Sequence, residues 1–139
     1  MKHSYQRWLI RASIINIMAG ILLGLYLYAW PYWPAPRLAP YAVVRTVHVH
    51  LILLGGVIQM IMGVALWMFP RMKKSPHYTA PTQGTLLFVL FNSGILLRSS
   101  GELMGQSNSW YFVALAGVIL QILAFAFFGV LIYSRIRQP

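Results

Sequence analysis

The sequence predicts an all-α membrane protein with four transmembrane helices, both termini in the cytoplasm and a single domain (1–139). Hydrophobic residues make up 59% of the chain and charged residues only 9%. Four apolar segments are long enough to cross about 30 Å of hydrocarbon. Basic residues cluster at the ends of these segments, where they act as topology determinants.

Aromatic and proline residues mark the ends of the predicted helices. The first helix runs from about Trp8 to Trp30 and ends in aromatic residues typical of a bilayer interface. The second spans about Ala42 to Phe69 and ends before Pro70, because a proline disfavours helical backbone in the preceding residue. The third, about Thr82 to Leu97, is short, and the fourth spans about Ser109 to Tyr133.

The distribution of basic residues predicts the orientation. Of the 11 basic residues, eight lie on the side of the termini (Lys2, Arg7, Arg11, Arg71, Lys73, Lys74, Arg135, Arg137) and three on the other (Arg37, Arg45, Arg98). Because cytoplasmic loops carry the excess of Lys and Arg, we expect a multi-pass protein of the inner (cytoplasmic) membrane of a bacterium or archaeon. We therefore expect the lipid bilayer to be its main partner, and we expect no binding of nucleic acid.

The residue inventory excludes several kinds of site. The chain has no cysteine, which excludes thiolate metal sites, disulfides and covalent haem attachment. Glu102 is the only acidic residue, which excludes catalysis by paired carboxylates. Arg98 precedes it by four residues, so the two are expected to pair if this segment is helical.

Small and amide residues within the predicted spans are expected to serve helix packing. Gly20 and Gly24 form a Gly-x-x-x-Gly pattern that permits close helix contact. Uncharged amides usually tie membrane helices together by hydrogen bonds, and four such residues lie in these spans: Asn16, Gln59, Asn92 and Gln121.

Two histidines at the opening of the second helix are the candidate ligands. They stand in the segment Arg45-Thr-Val-His48-Val-His50, and ionisable side chains in a membrane span suggest a function such as holding a metal or haem. Successive helical residues turn by about 100°, so His48 and His50 point about 200° apart and cannot share one metal centre. With His48 facing the bundle, His50 would face a neighbouring protomer, lipid or water. Arg45 shares the face of His48.

The same segment resembles a known family. Arg45, His48, His50 and Gly55, with Gly63 and the helix end at residues 69–71, are similar to the second helix of the catalytic subunit of haem-copper oxygen reductases and nitric oxide reductases. The chain most resembles short stand-alone subunit I-like proteins, corresponding to helices I–IV of that subunit. The resemblance implies that His48 is an axial ligand of a low-spin haem b near the outer membrane surface.

The chain also departs from that family. The family's other haem and copper ligands lie in later helices that are missing here, and His3 and His77 are predicted on the opposite side of the membrane from His48. We therefore do not expect a complete oxidase. The family's pseudo-threefold architecture implies a homotrimer, and a homodimer sharing one haem between two copies is the other possibility.

The sequence leaves several functions open. A b-type cytochrome would serve electron transport, with a respiratory electron donor, or bind a diatomic gas (O2 or NO) at an open sixth position. Arginine is suited to pair with haem propionates, and Met104 is a further candidate axial ligand. The candidate cofactor-binding residues are therefore His48, His50, Arg45, Arg98, Arg37 and Met104. The alternatives are copper held by His48 and His50 of symmetry-related chains, and a non-catalytic structural or assembly subunit of a respiratory complex.

Overall fold

A computed structural model describes residues 4–32, 37, 39–69, 81–105 and 107–136. These residues form four long helices and no strand. The first is Ser4–Ala29, the second Tyr41–Met68, the third Pro81–Met104 and the fourth Asn108–Ile136. Each contains a window long and apolar enough to cross a membrane, which confirms the predicted all-α fold with four candidate membrane spans. Several residues on which the sequence predictions depend lie outside the described parts: Lys2, His3, Pro70, Arg71, Lys73, Lys74, His77 and Arg137.

The second helix is less regular than expected. Its α-helical ends, Tyr41–His50 and Gln59–Met68, flank a π-helical segment, Leu51–Ile58, that begins directly after His50. A π-helical segment is wider than an α-helix, and such segments are frequent at functional sites. The helix ends at Phe69, whose extended backbone (ψ 118°) is the conformation that a following proline favours.

The third helix is longer than predicted. It continues beyond Leu97 to Met104, so Arg98 and Glu102 belong to its last turns and not to a loop. The predicted pairing of these two residues is confirmed, with Arg98 Nε donating to Glu102 Oε1 at 2.9 Å. The polar stretch after Leu97 remains helical because its charges are paired within the bundle.

Polar and apolar residues have the distribution of a membrane protein. Side chains buried inside the bundle include the polar residues Gln6, Ser13, Gln59 and Gln121. Large apolar side chains are exposed all along the four helices, including Leu22, Leu25, Trp67, Leu96, Phe112 and Val130. Such extensive apolar exposure would be unfavourable in water and fits contact with a lipid bilayer.

Glycine contacts set the closest helix approaches. The third and fourth helices pack most extensively against each other. A Cβ at Gly117 would lie 2.4 Å from the backbone nitrogen of Arg98, and one at Gly101 would lie 2.5 Å from that of Ala114. Only residues without a side chain permit this approach, which brings Arg98 against the fourth helix.

Amides tie the first three helices together near their middle. Asn16 Nδ2 donates to Gln59 Oε1 at 3.1 Å, and Gln59 Nε2 donates to Asn92 Oδ1 at 3.1 Å. The structural role predicted for these three amides is therefore confirmed. The same role is confirmed for Gln121, which accepts a hydrogen bond from Arg98 and so ties the third helix to the fourth.

Candidate functional site

His48 is oriented by the first helix. Its Nδ1 lies 2.7 Å from the carbonyl oxygen of Gly20. Because a carbonyl oxygen only accepts hydrogen bonds, we assign the proton to Nδ1, and Nε2 then carries a lone pair. This nitrogen makes no hydrogen bond to any residue that the structure describes. The imidazole is half-buried and presents one available nitrogen.

The predicted Gly20 and Gly24 packing face makes room for this ring. A Cβ at Gly24 would lie 2.8 Å from His48 Cε1, and one at Gly20 would lie 2.5 Å from Ile52 Cγ1. The glycine pair therefore contacts the second helix and permits the hydrogen bond of His48 to the first-helix backbone.

His50 points the other way, toward the third helix. Its Nε2 lies 2.9 Å from Arg98 Nη2, and its Nδ1 lies 3.3 Å from Glu102 Oε2. The expected divergence of the two histidines is observed, but His50 faces the bundle interior and not a neighbouring protomer, lipid or water. The sequence does not predict these contacts of His50, because it predicts the segment that contains Arg98 and Glu102 as a loop.

His50, Arg98, Glu102 and Gln121 form a connected group that we call the ionic cluster. Arg98 contacts all three other members, with Nη1 donating to Gln121 Oε1 at 3.1 Å. A guanidinium only donates, so Nε2 of a neutral His50 must accept from it, and Nδ1–H donates to Glu102. The side chains of His50, Arg98 and Glu102 are only 22%, 21% and 20% exposed. The cluster thus contains one positive and one negative charge, which compensate each other.

Two open clefts border the ionic cluster. One, of about 330 Å³, is lined by Glu102 together with the start of the second and fourth helices. The other, of about 350 Å³, is lined by His50, Arg45 and neighbouring residues of the second helix. Ala42 and Thr46 lie between the two clefts and line both.

The remaining predicted site residues are dispersed. Arg45 is exposed and lines a cleft with His50. The guanidinium of Arg37 lies 4.9 Å from the ring centroid of Trp30, in a cation–π arrangement. Met104 is 55% exposed in the last turn of the third helix. No group of three or more His, Cys, Asp or Glu residues that could hold a metal ion occurs within the described ranges.

Comparison with known proteins does not assign the chain. No family model, curated protein or solved structure matches it. The resemblance to the haem-copper reductases therefore depends on the residues quoted from the second helix alone.

Sequence reasoning predicted that Gln121 ties helices together but did not identify Arg98 as its partner. Its position on the fourth helix gave no indication that it would contact Arg98, because that contact depends on the close approach at Gly117. Glu102 could have indicated this contact. A single carboxylate in an apolar chain, with an arginine one helical turn away, indicates a buried ion pair that needs further polar partners such as Gln121.

Proposed function

We propose that this chain is a multi-pass inner-membrane cytochrome of the b type, in which His48 is an axial ligand of the haem and which serves electron transfer or binds a diatomic gas. The observation that carries the proposal is the 2.7 Å contact between His48 Nδ1 and the Gly20 carbonyl oxygen. Histidines that bind a metal through one ring nitrogen almost always donate the other N–H to a carbonyl or carboxylate. His48 has this arrangement: its Nδ1 contacts a carbonyl oxygen, and its Nε2 is the nitrogen that would bind the iron.

The contacts of the three arginines allow them to be ranked as partners of a haem propionate. The guanidinium of Arg98 already contacts Glu102, His50 and Gln121. Arg45 is exposed and precedes His48 by three residues on the same helix. A haem held by His48 would therefore pair a propionate with Arg45, or with Arg37, before drawing on Arg98.

A second axial ligand would come from another copy of the chain. Both ring nitrogens of His50 contact other members of the ionic cluster, Glu102 and Arg98, which makes His50 a poor haem ligand. Two His48 side chains across a twofold axis would give bis-histidine coordination and one haem for two chains. A homotrimer with one haem per chain would leave the sixth position to Met104 or to a gas.

The copper alternative receives less support. It requires the imidazoles of His48 and His50 from neighbouring chains, yet the nitrogens of His50 are engaged within its own chain. A purely structural subunit remains the competing explanation, and it predicts a colourless protein.

The experiment is a visible spectrum of the detergent-purified protein, oxidised and then reduced with dithionite, after expression with supplied haem. We expect a Soret band and sharp reduced α and β bands in the wild type and in His50→Ala, and their loss in His48→Ala. His50→Ala is the matched control because it removes an imidazole two residues away on the same helix. The haem-to-protein ratio distinguishes the shared haem of a dimer from one haem per chain.

Two results would contradict the proposal. Absence of any Soret band after haem supplementation would leave the structural-subunit explanation. Equal loss of the spectrum in both variants, with retained helix content, would show that His48 has no special role.

A further inference from the structure

A cleft of about 430 Å³ lies between the first and second helices, near the end of the bundle opposite to the ionic cluster. It is lined by Gln6, Arg7, Ile10, Val64 and Trp67. Arg7 and Trp67 are exposed, so the cleft opens on the bundle surface. Arg7 lies toward the start of the first helix, and Ile10 and Val64 are one turn further into the bundle. The accessible lining is almost entirely apolar, and Arg7 is the one charged residue among these five.

The charge around this cleft is positive. Arg7, Arg11 and Arg135 are all near this end, whereas Glu102, the only acidic residue of the chain, belongs to the ionic cluster at the other end. Arg135 donates to the carbonyl oxygen of Leu66 at 2.8 Å, a neutral partner, and the described part of the chain has no acidic side chain at this end. An anion placed here would meet a favourable field with no acidic side chain to oppose it.

Gln6 is buried between the first and second helices beside the same cleft. It is 1% exposed, and its Nε2 donates to the carbonyl oxygen of Leu66 at 3.4 Å. Its Oε1 accepts no hydrogen bond from the described part of the chain. Because the amide is shielded from the surface, Gln6 ties the first helix to the second and offers no exposed group to a bound lipid.

We propose that this cleft binds an anionic phospholipid, with an acyl chain along Ile10, Val64 and Trp67 and the phosphodiester against Arg7. A groove open to hydrocarbon is filled by lipid chains, because water cannot be accommodated on its apolar walls. Basic pockets between transmembrane helices are known to select acidic headgroups. The proposal is independent of haem binding, since the cleft and His48 lie at different levels of the bundle.

The test is lipid binding to the purified full-length chain, measured by native mass spectrometry with phosphatidylglycerol and phosphatidylcholine of identical acyl chains. One basic residue at the membrane surface contributes about 1 kcal/mol, which corresponds to about five-fold in affinity. We expect the wild type to prefer phosphatidylglycerol by at least this factor. Arg7→Gln should lose most of the preference. Arg37→Gln, which removes the same charge at the other end, should retain it.

A second variant tests the apolar part of the cleft. Val64→Phe should weaken binding of both lipids at this site, because the added ring occupies the space of the acyl chain. Equal wild-type affinity for the two lipids would overturn the proposal, as would equal losses in Arg7→Gln and Arg37→Gln. Arg7 is exposed, so its substitution tests the headgroup contact even if Val64→Phe does not fold.

Discussion

At the scale of single residues, Arg98 is the side chain on which the ionic cluster depends. It contacts Glu102, His50 and Gln121, and its own side chain is 21% exposed. We expect Arg98→Met to lower the free energy of unfolding by about 3 kcal/mol, because removing one partner leaves a poorly hydrated carboxylate without its counter-charge. Equilibrium unfolding of the haem-free protein in mixed micelles with increasing dodecyl sulfate measures this change.

Arg11→Met is the control for this prediction. Arg11 is exposed on the first helix, so removal of its charge should change stability by no more than about 0.5 kcal/mol. If the two variants unfold alike, the cluster contributes no stability beyond that of a surface charge.

At the scale of the helices, the sequence predicts which segments span but not how their faces meet. Hydropathy is a local property of the sequence, and it identifies all four candidate membrane spans. The predicted helix ends are wrong where polar residues continue the helix. Hydropathy ends the third helix at Leu97 because Arg98 and Glu102 are charged. Their partners, His50 and Gln121, come from other helices. None of these contacts is encoded in a local pattern.

The fourth helix offers a matched pair of glycines that tests the close packing beside Arg98. A Cβ at Gly117 would meet the Arg98 backbone nitrogen at 2.4 Å, whereas one at Gly129 meets nothing within 4 Å. We expect Gly117→Ala to destabilise the protein by about 2 kcal/mol, because backbone atoms cannot move aside as a flexible side chain can. Gly129→Ala should be neutral or stabilise it by up to about 1 kcal/mol. The same dodecyl sulfate unfolding assay measures both, and a similar response of the two variants would contradict the close contact between the third and fourth helices.

At the scale of the whole molecule, the arrangement places different chemistry at the two ends of one bundle. The ionic cluster and its clefts lie where the second helix begins, and arginines without an acidic side chain beside them in the described part of the chain lie where it ends. The basic-residue count predicts that the arginine end faces the cytoplasm. If so, the cleft proposed to bind anionic lipid is in the inner leaflet, and His48 and the ionic cluster are near the outer surface.

Orientation can be measured directly because the chain has no cysteine of its own. A single cysteine at the exposed Ser107, between the third and fourth helices, should react with a membrane-impermeant maleimide added to intact spheroplasts. A single cysteine replacing Pro139 should react only after the membrane is permeabilised. The cysteine-free wild type controls for background labelling. The reverse pattern would move the ionic cluster to the cytoplasmic side, and labelling of both positions from outside would mean that the fourth helix does not cross the bilayer.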